Sequence, residues 1–142
     1  MIESDMEISG KVRRTVMENI IIKGKKIRTN NTTLQGVMEL WQEIASMQLS
    51  GDLYAVYCNY ASYHSGEYDL LIGSEDNDLP DTIEMANCNY LEIPVEGNSI
   101  ENVGSTWQSI WANAEIEAKR AYQTDYEKYG QDGSITIFLS IK

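Results

Sequence analysis

The sequence predicts an α+β fold of duplicated β-α-β-β units, forming an antiparallel sheet with two helices on one face and a ligand groove at the pseudo-twofold junction. Three observations lead there. Two apolar stripes have helical spacing, Leu34–Val37–Met38–Trp41–Ile44–Ala45 and Ile100–Val103–Trp107–Ile110–Trp111–Ala114. Each stripe is preceded and followed by runs rich in β-branched and aromatic residues. A shift of 66 residues then lays one half of the chain on the other without a gap, with Ile27 on Ile93, Trp41-Gln42 on Trp107-Gln108, Ile44 on Ile110, and Tyr68–Gly73 on Ser134–Leu139.

Residues 1–15 read as a polar N-terminal extension, and residues 16–142 as one domain with repeat halves at about 16–76 and 83–142. Val16–Thr29 is a strand with an irregularity at Gly24, and Asn30–Thr33 supplies N-cap candidates for the first helix. Leu53–Tyr60 is a second strand. Ala61–Glu67, which carries the single histidine, His64, is a hairpin connection, and Tyr68–Gly73 is the returning strand. Ser74–Thr82 is an acidic loop with Pro80; its Asp76-Asn77-Asp78 lacks the glycine and terminal glutamate offsets of a calcium loop. In the second half, Asn87–Val95 is a strand and Asn98-Ser99 caps the second helix. Ala121–Tyr129 and Ser134–Lys142 are strands joined by a turn at Gly130–Gly133.

Charge narrows the function classes. With 22 acidic and 11 basic residues the net charge is −11, which repels nucleic acid phosphates and anionic membrane surfaces and favours a cationic ligand. No segment has the ~18 apolar residues of a membrane span, and the acidic start is unlike a signal peptide. A cytoplasmic location is the simplest expectation. Cys58 and Cys88, the only cysteines, read as buried reduced thiols, so neither a disulfide framework nor a metal site is expected. Nucleophilic catalysis and phosphate binding find no motif, and no cofactor is expected.

The aromatics are nine Tyr and three Trp against one Phe, side chains that suit half-wet pockets as well as cores. Glu127 sits in the dense run Tyr122–Tyr126–Tyr129, where a carboxylate would be partly desolvated. Trp107 and Trp111 are one helical turn apart and share a face. Trp41 reads as core. The 66-residue shift puts Tyr57 on Gln123, which shares a strand face with Glu127, so Tyr57 should look into the groove while Tyr60 and Tyr126 look away. The same shift puts Ala61 on Glu127. Tyr90 and Phe138 are further candidates for the lining.

Several stretches together resemble the GyrI-like effector-binding domains, the ligand-sensing modules of multidrug-responsive transcription activators. They are Ile27-Arg-Thr-Asn30, Leu40-Trp41, Tyr54-Ala-Val-Tyr-Cys-Asn-Tyr60 with Gly66–Gly73, Trp107–Trp111, and Arg120-Ala-Tyr-x-x-Asp-Tyr-Glu127-x-Tyr129. The resemblance covers about residues 16–142. It implies an aromatic groove with a recessed carboxylate, here Glu127, that binds lipophilic cations. Together with the aromatics weighed above, the candidate ligand-binding set is Glu127, Trp111, Trp107, Tyr57, Tyr90 and Phe138. The resemblance leaves two alternatives open: a hydrolase of reactive electrophiles with Glu127 as general base, and an acidic inhibitor module that docks on a protein partner. Unlike the activators, the chain shows no DNA-binding module, so direct transcriptional control is not expected.

Overall fold

A computed structural model describes residues 13–16 (backbone only), 20–32, 34–63, 65–85 and 89–142. His64, Cys88 and residues 1–12 of the expected extension lie outside the described residues. The strands are β1 (Arg13–Val16), β2 (Ile20–Thr29), β3 (Leu53–Cys58), β4 (Tyr68–Ser74), β5 (Asp81–Met85), β6 (Asn89–Pro94), β7 (Thr124–Tyr129) and β8 (Ile135–Ile141). The helices are α1 (Gln35–Met47), α2 (Glu101–Ala112) and the short α3 (Ala114–Lys119). All eight strands form one antiparallel sheet in the order β1-β6-β8-β7-β3-β4-β2-β5.

Both helices pack on the same face of the sheet, but only part of each predicted stripe is buried: Ile44, Trp107 and Ile110 are, Leu34, Met38 and Ile100 are exposed, and the buried Leu40 lies outside the stripe read from the sequence. From α1, Leu40 and Ile44 pack on Ala55, Leu70 and Ile72; from α2, Trp107 and Ile110 pack on Ile93, Ile137 and Leu139. Each fully buried Leu or Ile of this set contributes about 1.5–3 kcal/mol. The alternating strands deliver the complementary face. Tyr54, Val56 and Leu71 of one half meet Tyr90, Tyr126 and Phe138 of the other in a second core away from the helices.

The sheet must curl. β1 and β2 are consecutive in sequence yet six strand positions apart, as are β5 and β6. A flat sheet would separate them by about 29 Å, while the connections from Val16 to Ile20 and from Met85 to Asn89 reach only about 14 Å. The curl brings Ile22 and Met85 of one edge into the same cluster as Tyr90 and Phe138 of the other. It also lets the halves exchange strands: β1 pairs with β6 of the second half, and β5 pairs with β2 of the first. β1 begins at Arg13, inside the segment read as an extension.

Gly24 is not a bulge. It faces Gly73 where β2 passes from β5 to β4, and a Cβ on Gly24 would lie 2.0 Å from the Ile72 carbonyl oxygen. The expected caps are also replaced. Leu34 and Ile100 occupy the N-cap positions of α1 and α2 without a side-chain hydrogen bond. Asn30 instead closes a turn by accepting from Thr32 N at 2.9 Å, and Asn98 Oδ1 accepts from Ile135 N at 3.0 Å.

The duplication holds, but not at one offset. Trp41 and Trp107 occupy equivalent positions at 66 residues, whereas the burial pattern of β4 repeats in β8 with Tyr68 on Ile135, an offset of 67. The central strands differ more, because α3 is inserted before β7. Tyr57 pairs with Leu70, Leu70 maps on Ile137, and Ile137 pairs with Glu127. Tyr57 and Glu127 are therefore the equivalent pair, at an offset of 70, replacing both the Ala61–Glu127 and the Tyr57–Gln123 correspondences.

Candidate functional site

The groove lies between α1 and α2 over the central strands β3 and β7. Strand alternation aims Ala55, Tyr57, Asp125, Glu127 and Tyr129 at the helix face. The helices supply Val37, Trp41 and Ala45 from α1, and Val103, Trp107 and Trp111 from α2. Together they enclose a cavity of about 680 Å³ with a mostly apolar lining, within the range of drug-sized ligand sites. The exposed Leu34 and Ile100, which head the two helices, also line it.

Glu127 is the centre of the floor and is 2 % exposed. Three neutral donors hold it. Tyr57 Oη and Trp107 Nε1 donate to Oε2 at 2.7 and 2.6 Å, and Tyr129 Oη donates to Oε1 at 2.5 Å. Each helix stands a tryptophan edge-on to one of these tyrosines. Trp41 meets Tyr129 with ring centroids 5.1 Å apart, and Trp107 meets Tyr57 at 5.5 Å. Burial pushes the Glu127 carboxyl above the ordinary glutamate value, and the hydrogen bonds from Tyr129, Tyr57 and Trp107 offset only part of that. Burial, followed by the neighbouring Glu127 charge, raises the Tyr57 and Tyr129 hydroxyls, so both remain protonated donors.

One end of the groove holds a buried ion pair. Arg120 Nη2 donates to Asp125 Oδ2 at 2.7 Å, and neither side chain is more than 1 % exposed. Asp125 also accepts from Tyr60 Oη and, through Oδ1, from Ser140 N at 2.7 Å and Ser140 Oγ at 3.0 Å. Arg120 donates to Glu117 at 3.2 Å and lies over the Tyr122 ring at 4.0 Å and the Trp107 ring at 5.8 Å. Burial alone would lower the proton affinity of Arg120; Asp125, Tyr60 and Tyr122 together outweigh it, and the guanidinium stays charged. The cation nearest the floor is thus already matched with carboxylates, and Glu127 has no cationic partner among the described residues.

Of the residues singled out in the sequence, the structure brings Glu127, Trp111, Trp107 and Tyr57 together around the cavity. Tyr90 and Phe138 are not there. Both point to the opposite face, where Phe138 stacks on Tyr126 at 4.5 Å and Tyr90 meets both rings edge-on. Tyr60 lines the groove instead of looking away, because Asn59 takes a left-handed φ of 52° just after β3 and resets the alternation. Trp41 lines the groove as well as packing on the core. Sequence reasoning missed Arg120, Asp125 and Tyr129 as site residues. For Tyr129 the i, i+2 spacing from Glu127 was a usable signal; the ion pair depends on α3 and left none. Among the described residues, no cluster of His, Cys, Asp and Glu could hold a metal ion, and no helix is long and apolar enough to cross a membrane.

No protein-family model and no curated protein sequence matches the chain. Solved structures do share its fold. An integron cassette protein from the mobile metagenome of Vibrio cholerae superposes with a TM-score of 0.79 at 21% identity, over 92% of this chain and 95% of that one. A candidate bacterial transcription regulation protein from Staphylococcus aureus gives 0.73 at 15% identity, over 93% and 98%. A protein solved with tetraphenylphosphonium bound, SAV2435, gives 0.73 at 16% identity, over 94% of each chain. At these identities the likeness establishes a shared fold.

Proposed function

We propose that this chain is an effector-binding module of the GyrI-like type, whose groove takes amphipathic aromatic cations such as drugs or toxins in a bacterial cytoplasm. The observation that carries the proposal is Glu127, a carboxylate buried in an aromatic floor, held by neutral donors and without a counter-cation among the described residues. Such a charge is costly to bury alone. A ligand that brings positive charge and aromatic area offsets the cost, while an anion of the same shape aggravates it. Tetraphenylphosphonium bound to the fold relative SAV2435 is a ligand of this chemistry.

Tryptophan fluorescence and calorimetry with three probes of similar shape test the proposal: tetraphenylphosphonium, neutral triphenylphosphine oxide and anionic tetraphenylborate. The cation should bind best. Glu127→Gln should weaken it by roughly 1–3 kcal/mol, the scale of a charge-assisted contact, and leave the neutral probe nearly unchanged. Trp111→Ala should weaken both, since it removes stacking area. Equal affinity for the cation and the borate, or no effect of Glu127→Gln, would overturn the proposal. Hydrolysis of a reactive electrophile that is lost in Glu127→Gln would move the reading to an enzyme with Glu127 as general base.

A further inference from the structure

We propose that a proton and the cationic ligand compete for Glu127, so that each cation taken up expels a proton and acidification discharges the groove. This rests on the ligand class proposed above and adds how the site is loaded and emptied.

The geometry around the carboxylate carries the inference. Every element packed against Glu127 presents a group that cannot neutralise it. β3 presents Tyr57, β7 itself Tyr129, and α2 Trp107, all neutral donors. β4 adds the Tyr68 phenol, β8 the apolar Ile137, and α1 the Trp41 ring of the edge-on pair with Tyr129. The charged groups at the groove end are Arg120, Asp125 and Glu117, and they are spent on one another. The pair of Lys25 with Glu43 on α1 is exposed. A single buried negative charge in this setting has two ways to be neutralised, by a proton or by a ligand cation. Both act on the same carboxylate, so they exclude each other.

The protein can hold either state. Oε2 faces Trp107, which can only donate, and Tyr57. Oε1 faces a tyrosine hydroxyl, which accepts as readily as it donates once it rotates. A proton on Oε1 can therefore be given to Tyr129 Oη while both bonds to Oε2 persist. The exchange balances as Glu127 carboxylic acid plus cation going to Glu127 carboxylate with bound cation plus a released proton. Burial raises the carboxyl's proton affinity and moves this competition up from the usual carboxylate range.

The test is calorimetry of tetraphenylphosphonium binding from pH 4 to 8, repeated in buffers of different ionisation enthalpy, with circular dichroism at each pH to confirm the fold. On the acid side, affinity should rise about tenfold per pH unit, with close to one proton released per cation, and reach a plateau above the carboxyl's titration. Glu127→Gln should bind weakly with a flat profile and no proton release. In the ligand-free protein, the infrared band of a protonated carboxyl should persist above the pH at which exposed glutamates ionise. That band should be missing in Glu127→Gln and vanish when tetraphenylphosphonium is added. Glu127-dependent binding that is independent of pH and releases no proton would overturn the exchange and leave the ligand class standing. Absence of binding at every pH would overturn both.

Discussion

Asp125→Asn is the substitution whose cost can be worked most fully from the structure. The wild-type carboxylate is completely buried, sits 2.7 Å from Arg120 Nη2, and accepts from Tyr60, Ser140 N and Ser140 Oγ as well. Asparagine keeps the acceptor for Ser140, but sets an amide N–H₂ against the donors of Arg120 and Tyr60. The guanidinium is then left buried with Glu117, whose side chain is 24 % exposed, as its remaining carboxylate and with the neutral Tyr122 hydroxyl at 3.1 Å. Breaking a buried pair on one side costs about 3–5 kcal/mol. With an unfolding entropy of about 2.1 cal/mol/K per residue, this chain unfolds with about 0.3 kcal/mol/K. A loss of about 4 kcal/mol therefore lowers Tm by about 13 °C. Differential scanning calorimetry at pH 7 measures it, and a urea melt checks that the loss is in free energy. The companion variant is the double substitution Arg120→Met with Asp125→Leu. It removes both charges together but also takes the acceptor from Tyr60 Oη, Ser140 N and Ser140 Oγ, so it should recover only the part of the loss that comes from the stranded guanidinium. A Tm within about 3 °C of wild type for Asp125→Asn alone, well short of the shift worked above, would refute the reasoning and show that water reaches Arg120 freely.

Three further outcomes are expected. The raised Glu127 carboxyl contributes stability that is complete below the unfolded value and is lost as pH rises through the folded one. Ligand-free Glu127→Gln should therefore match wild type in thermal melts near pH 4 and exceed it at pH 8; a variant less stable at pH 8 than at pH 4, relative to wild type, would contradict the direction. Gly73→Ala should destabilise by about 3 kcal/mol or more, since its Cβ would sit 1.9 Å from the Lys23 carbonyl oxygen and only backbone movement relieves it; an unchanged denaturation midpoint would count against the close approach of β2 and β4. Finally, at net charge −11 the chain should give no anisotropy signal with duplex DNA at ~150 mM salt; binding at micromolar protein would show a basic surface that the overall charge conceals.

The parts of this molecule that follow a local period were legible in the chain. Ile44, Trp107 and Ile110 fall on the helical stripes, and the Ile135–Ile141 alternation states which residues face the helices, whereas the buried Leu40 lay outside the stripe. What escaped depends on single residues or on tertiary partners. α3 has one buried apolar residue, Ile116, too few to set a period, and its signature is the Asn113 cap on Ile116 N. The edge strand β5 was hidden by the acidic residues around Pro80. Tyr60 changed sides because one residue, Asn59, turned left-handed. The faces of Tyr90 and Phe138 follow from strand register, which periodicity within one strand does not fix. Glu127 stood out for its aromatic surroundings, yet its three donors come from β3, β7 and α2, which only the folded chain brings together.

The exchange of β1 and β5 between the halves makes this one chain topologically a tethered dimer. Neither half owns a complete sheet, because the outermost strand of each is lent by the other. An ancestral half-length chain with this pairing would have been an intertwined homodimer, and fusion of two copies would have turned a concentration-dependent assembly into a unimolecular one. It would also have freed the two sides of the groove to diverge, so that one could carry an acid where the other carries the tyrosine that binds it. Severing the chain between Ser74 and Asp81 should accordingly leave two pieces that stay clasped and part only on denaturation.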